Sequence, residues 1–166
     1  FKGRLFSGDE VKYFNMNYWI NPDRSELFFA KKVILVEGQT DKIVLGYLSK
    51  KLGIYKYDYS ILECGSKSII PQFIKLLNAF KLPYVAIYDK DNHFWRTESE
   101  IENSNIKNHS IQKTINYDFG DFIEFDNDIE EELYNEKRER KNYKNKPFNA
   151  LKTVSEENYT VRAQLE

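Results

Sequence analysis

The sequence predicts an α/β fold in which a parallel sheet of four strands is flanked by helices. Short apolar runs are typical of strands buried on both faces. In this chain they alternate with segments whose apolar residues recur with the period of an α-helix. Polar turns separate the two kinds of segment. Such alternation indicates parallel strands joined by helical crossovers.

The first half of the chain provides three strands and two helices of this pattern. The apolar run Val33 to Val36 predicts a strand, and Asp41 to Leu52 predicts the helix that follows it. A short second strand covers 59–62, and the next helix carries an apolar stripe from Ile70 to Phe80. The third strand covers 84–88 and ends in the letters DKD.

The second half is more polar. Residues 96–116 are rich in Asn, Ser, Glu and Lys, and we expect a mobile helix or loop there. The segment FGDFIEFDND alternates enough to predict a fourth strand, and an acidic helix start follows at 130–133. The stretch 136–146 holds six basic residues and two acidic ones.

Composition restricts the class of protein. The chain has 166 residues, 25 Lys and Arg against 26 Asp and Glu, and a net charge of -1, which at first sight argues against a general nucleic-acid binder. A single cysteine excludes an internal disulfide and makes a structural zinc site improbable. No apolar run reaches the ~20 residues of a membrane span, so we expect a cytoplasmic chain without a membrane partner, cut from a longer protein.

Acidic residues stand where the predicted strands end. Glu37 ends the first strand with Asp41 in the next helical turn, and Asp89 and Asp91 follow the third strand. If the backbone stays extended, Asp89 and Asp91 share one face while Lys90 points to the other. Acids so close together would repel unless a cation held them, and oxygen ligands suit Mg²⁺ or Mn²⁺. Alternatively, each acid could merely close a strand or cap a helix.

The turn after the second strand suggests contact with phosphate. Gly65 allows a tight turn, and we expect Lys67 to lie within reach of a substrate phosphate; an ordinary surface lysine remains the alternative. A Walker ATP-binding loop is not supported, because the glycine that should precede the Gly-Lys pair is missing.

Three segments together resemble a known family. VILVEGQTD, ECGSKSIIP and VAIYDKD are similar to the successive motifs of a TOPRIM domain, the metal-binding module of topoisomerases, bacterial primases and several nucleases. The longer segment SELFFAKKVILVEGQTDKIVLGYLSKKLG resembles the junction between the ATPase and TOPRIM domains of overcoming lysogenization defect (OLD) nucleases. The resemblance covers residues 25–91.

The resemblance assigns roles residue by residue. It places the catalytic glutamate at Glu37, the turn glycine at Gly38 and the second acid at Asp41, with the aspartate pair at Asp89 and Asp91. It implies further metal ligands at Asp128 and Glu130 and a catalytic lysine at Lys146, although Lys144 and Lys152 are alternatives for the lysine.

These roles imply a function. The resemblance predicts that residues 31–166 are the TOPRIM nuclease domain of an OLD-family ATP-dependent DNA endonuclease. Such an enzyme would cut phosphodiester bonds with two Mg²⁺ or Mn²⁺ ions. The resemblance also implies a phage-defence setting. Residues 1–30 would lead in from an ABC-type ATPase domain of a homodimeric full-length protein. Lys67, Lys90 and the basic stretch would hold DNA phosphates.

Two alternatives stay open. The TOPRIM domain could serve a topoisomerase, a primase or an RNA-cleaving nuclease, or it could be a non-catalytic metal-binding or dimerisation module. The neutral net charge does not exclude DNA, because residues 118–132 carry eight acids and no Lys or Arg, next to the basic stretch. Divalent ions could neutralise these acids and leave a positive balance.

Overall fold

A computed structural model describes residues 29–134, 145–156 and 159–160. Its sheet has four parallel strands in the order β2-β1-β3-β4. The strands are β1 (Lys32–Val36), β2 (Tyr59–Glu63), β3 (Tyr84–Asp89) and β4 (Gly120–Phe125). The predicted α/β class is therefore confirmed, and each predicted strand is present within a residue or two.

Five α-helices lie within the described residues. They are α1 (Gln39–Lys51), α2 (Ile70–Phe80), α3 (Glu98–Thr114), α4 (Ile129–Tyr134) and α5 (Lys146–Ser155). A 3-10 turn, Lys67–Ile69, leads directly into α2. None of the helices in this described part of the chain is long and apolar enough to cross a membrane.

Strands β1 and β3, in the middle of the sheet, are covered on both faces, as continuous apolar runs require. In β1, Val33 and Leu35 pack with α2 and α3 on one side, while Val36 packs with α1, α4 and α5 on the other. The sheet is therefore the middle of three layers, and polar side chains gather at the carboxyl ends of its central strands.

The polar segment 96–116 forms a regular helix over most of its length, α3, rather than a loop. The Thr97 hydroxyl accepts a hydrogen bond from the Glu100 N–H, and the Glu100 carboxylate accepts one from the Thr97 N–H. This reciprocal cap satisfies two backbone donors at the start of the helix. The signal Thr-x-x-Glu was present in the sequence.

Candidate active site at the carboxyl end of the sheet

Three acidic side chains meet where β1 and β3 end. Glu37 follows β1, Asp41 lies in the first turn of α1, and Asp89 is the last residue of β3. Because β1 and β3 pair directly and in parallel, their ends bring Glu37 and Asp89 to the same edge of the sheet. The structure thus assembles the carboxylates that the sequence placed at strand ends.

Burial and mutual repulsion make these carboxylates hard to ionise. Burial raises the pKa of Asp89 well above its ordinary value, and the charges of Asp41 and Glu37 raise it further. Burial also raises the pKa of Glu37, against the opposing charge of Lys67. A concentration of buried negative charge of this kind attracts either protons or a cation.

Asp41 titrates near neutral pH. Its Oδ2 accepts a 2.8 Å hydrogen bond from the Gly38 N–H, which favours the ionised form. Burial has the larger and opposite effect, and with the charges of Glu37 and Glu130 it raises the pKa of Asp41 to about 7.

Two carboxylate oxygens of this group have no partner. Glu37 Oε2 and Asp89 Oδ1 are buried and accept no hydrogen bond. Leaving such atoms unsatisfied is costly, and a divalent cation would satisfy both, because hard cations prefer carboxylate oxygens. The donor set therefore fits Mg²⁺ or Mn²⁺. Among the described residues, however, no three acidic, histidine or cysteine side chains are arranged to hold a metal ion as they stand.

Asp91 differs from the expectation that it shares a face with Asp89. Strand β3 ends at Asp89, and Asp91 has a left-handed backbone with φ of 66°. Its N–H donates to the carbonyl of Asn127, beyond the end of β4. Extended geometry is lost at this point, so the alternation that would align the two aspartates does not apply.

The carboxylate of Asp91 is instead surrounded by donors. Lys67 Nζ lies 2.6 Å from Oδ2, Arg96 Nη2 lies 2.7 Å from Oδ1, and the Ser104 hydroxyl donates to Oδ2 over 2.9 Å. Burial alone would raise the pKa of Asp91, but the hydrogen bonds and charges of these neighbours outweigh it and lower that pKa. Neither Arg96 nor Ser104 was singled out from the sequence.

Lys67 is buried rather than exposed. Its side chain is only 4% accessible, and besides Asp91 its Nζ donates to the Asp89 carbonyl and to Ser104. Lys67 also lines a polar cleft between the turn after β2 and α3, and its contact with a substrate phosphate stays a prediction. Its charge acts inside the protein, where it balances Asp91 and lowers the pKa of Glu37.

The acids after β4 also approach the site. Glu130 is buried at the start of α4, and Asp128 precedes it. The charge of Asp128 raises the pKa of Asp89, as that of Glu130 does for Asp41. Both residues predicted from the family motifs therefore lie within electrostatic range of the buried carboxylates.

Lys146 is the first residue of α5, and its Nζ lies 3.1 Å from Glu130 Oε1. This ion pair connects the predicted catalytic lysine to the acidic group. Of the alternatives, Lys152 is exposed in the last turn of α5, and Lys144 lies outside the described residues, as does most of the basic stretch.

His93, in the loop after β3, is buried. Its Nδ1 lies 3.0 Å from Glu131 Oε1 and its Nε2 lies 3.4 Å from Asp128 Oδ2, while its ring stacks on Trp95 at 4.6 Å. The imidazole therefore connects the loop after β3 to α4 and fixes the side chain of Asp128. A sequence with one histidine near an acidic pair gave no specific signal for this role.

The remaining predicted residues lie at the edge of the site. Lys90 forms ion pairs with Asp126 at 3.1 Å and Glu124 at 3.8 Å, and the hydrogen bond to Asp126 raises its pKa. Gly65 adopts a left-handed φ of 85°, which favours glycine. Gly38 has a φ of -138°, which any residue adopts.

The first part of the described chain is similar in sequence to known proteins. Residues 28–91 match the family model of the overcoming lysogenization defect protein-like TOPRIM domain. An OLD nuclease of Thermus scotoductus is 30% identical over 70 residues, a stretch that covers 41% of this chain and only 13% of that protein.

Solved structures agree at the level of the fold. The C-terminal region of the Burkholderia pseudomallei OLD protein is 20% identical with a TM-score of 0.50, over 65% of this chain and 59% of that one. The C-terminal region of the Xanthomonas campestris pv. campestris OLD protein is also 20% identical, with a TM-score of 0.44 over 66% of this chain and 56% of that one. Residues 28–91, which span β1 to β3, are therefore similar in sequence to the TOPRIM domains of the OLD-like family.

Proposed function

We propose that this chain is the nuclease domain of an OLD-family protein and that it cleaves phosphodiester bonds of DNA with the help of divalent metal ions. The observation that carries the proposal is the pair of buried, unpartnered oxygens, Glu37 Oε2 and Asp89 Oδ1, at the end of the sheet. The TOPRIM match and the nuclease relative give the reaction class.

The acidic group would hold the ions. Glu37, Asp41 and Asp89 supply the central oxygens, and Asp128 and Glu130 supply oxygens from the side of α4. Two Mg²⁺ or Mn²⁺ ions held by these residues would supply the chemistry that activates a water molecule and stabilises the leaving oxygen. Asp91 joins this group only when its pairs with Lys67 and Arg96 open.

The basic residues have separate roles. Lys146, held beside Glu130, stabilises the negative charge that develops on the phosphoryl group during cleavage. Lys67 keeps Asp91 and the loop after β3 in place. His93 holds Asp128 toward the acidic group, as outer hydrogen-bonding partners of metal ligands generally do.

The domain organisation is part of the same proposal. Residues 31–166 form the catalytic domain, and residues 1–30 lead in from an N-terminal ABC-type ATPase domain of a longer, homodimeric protein. The match to the Thermus scotoductus protein covers only 13% of that protein, which leaves ample length for such a domain in the relative.

Plasmid cleavage tests the proposal. The parent chain, Glu37→Gln and Asp89→Asn are incubated with supercoiled plasmid and Mn²⁺, beside Glu102→Gln as a control at an exposed position of α3. We expect nicking by the parent and the control, and background levels for the other two variants.

Calorimetry with Mn²⁺ supplies a second readout that does not depend on activity. We expect heat of binding for the parent and for Glu102→Gln, and none for Asp89→Asn. Equal cleavage by all four proteins, or a parent chain that binds no Mn²⁺, would show that the acidic group is not a metal-dependent nuclease site.

A further inference from the structure

A polar cleft of about 370 Å³ is lined in part by Glu37. It lies between the turn that follows β2 and helix α3, at the same carboxyl end of the sheet. Its lining includes Glu37, Ser66, Ser68, Arg96, Asn103 and Lys107. No residue of α3 was assigned a function from the sequence.

Arg96 is a fixed cation in this cleft. Its Nη2 donates to Asp91 over 2.7 Å, and its guanidinium lies over the Trp95 ring at 5.5 Å. Its Nε, in contrast, is buried and donates to no acceptor. A guanidinium that is held on one edge and has an unused donor is well suited to binding a phosphate oxygen.

Lys107 and the serine hydroxyls add donors that are free to meet a ligand. Lys107 is exposed about two turns before the end of α3 and forms no ion pair with a described residue. Ser66 precedes the 3-10 turn, and its side chain makes no capping hydrogen bond. Of the other acids in the lining, Asp91 is paired with Lys67 and Glu100 caps α3.

The cleft and the acidic group share Glu37. The charges of Lys107 and Arg96 both lower the pKa of Glu37, against the burial that raises it, so both cations lie within electrostatic range of that carboxylate. A ligand in the cleft would therefore sit directly beside the proposed cleavage site.

We propose that this cleft binds a backbone phosphate of the DNA strand next to the cleaved bond, with Lys107 and Arg96 as its cationic ligands. That the phosphate belongs to a DNA strand rests on the proposed function. Phosphate contacts of this kind position a nucleic acid without reading its sequence.

DNA binding without divalent ions tests the inference independently of cleavage. A fluorescent DNA duplex is titrated with the parent chain, with Lys107→Glu, and with Lys113→Glu, which reverses a charge on the exposed last turn of α3 outside the cleft. We expect Lys107→Glu to weaken binding severalfold and to reduce the slope of log affinity against log salt by about one. Lys113→Glu should match the parent, and thermal unfolding should be the same for all three.

Inorganic phosphate serves as the competing ligand. We expect millimolar phosphate to displace little duplex, since a single phosphate lacks the neighbouring contacts of a strand. Phosphate binding that is lost in Lys107→Glu while duplex binding is unchanged would assign the cleft to a free anion and overturn the inference. Equal duplex affinity for the parent and Lys107→Glu would overturn it as well.

The experiments distinguish a failure of the phosphate cleft from a failure of the metal-dependent nuclease site. Weaker binding by Lys107→Glu together with undiminished cleavage by Glu37→Gln would retain the phosphate cleft and refute the metal-dependent nuclease site. Unchanged binding by Lys107→Glu together with loss of cleavage in Glu37→Gln would do the reverse.

Discussion

Asp89 and Asp91 stand two residues apart and belong to electrostatically opposite regions. Asp89 lies among Asp41, Glu37 and Asp128, where burial and like charges raise its pKa. Asp91 lies against Lys67 and Arg96, and its pKa is lowered in spite of burial. The left-handed backbone at Asp91 separates the two environments.

The difference shows how one sheet edge can serve two tasks. In the acidic region Glu37 Oε2 and Asp89 Oδ1 are buried and accept no hydrogen bond, which suits a cation that arrives from solution. The cationic region neutralises its own acid internally and leaves Arg96 Nε and Lys107 for an anion. Glu37 lies at the boundary of both regions. Metal and phosphate would therefore meet at this residue.

The largest expected effect concerns two variants that each replace an aspartate by the uncharged asparagine. Their free energies of unfolding should change in opposite directions. Asp91→Asn should destabilise the chain by on the order of 3 kcal/mol, because the buried Lys67 loses its carboxylate. Asp89→Asn should stabilise the metal-free chain above neutral pH by about 1 kcal/mol, because it removes a buried like charge. Urea unfolding in a chelator measures both.

A double variant checks why Asp91→Asn should destabilise the chain. Lys67→Met combined with Asp91→Asn removes both charges of the pair and should recover much of the loss caused by Asp91→Asn alone. Destabilisation by Asp89→Asn as large as that by Asp91→Asn would mean that the two regions do not differ in the way described.

A pH dependence of stability follows from Asp41. Its pKa is about 7 in the folded chain against an ordinary 3.8, so the folded state binds more protons than the unfolded state between these values. The metal-free chain should therefore lose stability as the pH rises through this window, by at most about 1.4 kcal/mol per unit. Asp41→Asn should flatten the slope.

Urea unfolding at about pH 5 and about pH 8, in a chelator, measures this slope. Asp121→Asn, an exposed acid on β4, serves as the control and should leave the slope unchanged. A slope that Asp41→Asn leaves as steep as in the parent would refute the assignment to Asp41.

A smaller effect is expected from His93. His93→Gln should lower Mn²⁺ affinity about tenfold, because Asp128 loses the imidazole that holds it. His109→Gln, at an exposed position of α3, should leave the affinity unchanged. Calorimetry compares the three proteins, and equal affinities for the parent and His93→Gln would remove His93 from the site.

The smallest effect compares two glycines of the site. Gly65→Ala should destabilise the chain by about 1 kcal/mol, because alanine is strained at a φ of 85°. Gly38→Ala should change stability by less than about 0.5 kcal/mol, because its backbone is extended and an added Cβ would meet Asp41 Oδ2 at an ordinary 3.6 Å. Thermal unfolding of both variants distinguishes a required glycine from a tolerated one.

The sequence predicted the sheet and the acidic group for one physical reason. Strands buried on both faces read as continuous apolar runs, and their ends are where polar residues reappear, so Glu37 and Asp89 could be placed at one edge. The reciprocal cap between Thr97 and Glu100 could also have identified the start of α3.

The cationic region was not predictable in the same way. The burial of Lys67 depends on Ser104, which lies 37 residues later in the chain, and on the left-handed turn at Asp91. The sequence DKD at 89–91 is compatible both with an extended backbone and with a turn. Long-range contacts of this kind decide whether a loop lysine faces a substrate or an internal carboxylate.

The central claim is that the buried carboxylates at the ends of β1 and β3 hold divalent cations. Anomalous diffraction from a crystal of this chain soaked in Mn²⁺ tests it most directly. The account predicts a manganese peak in contact with Glu37 and Asp89, with Lys67 still paired to Asp91. A crystal that binds no manganese between these two residues, at concentrations that support plasmid cleavage, would contradict it.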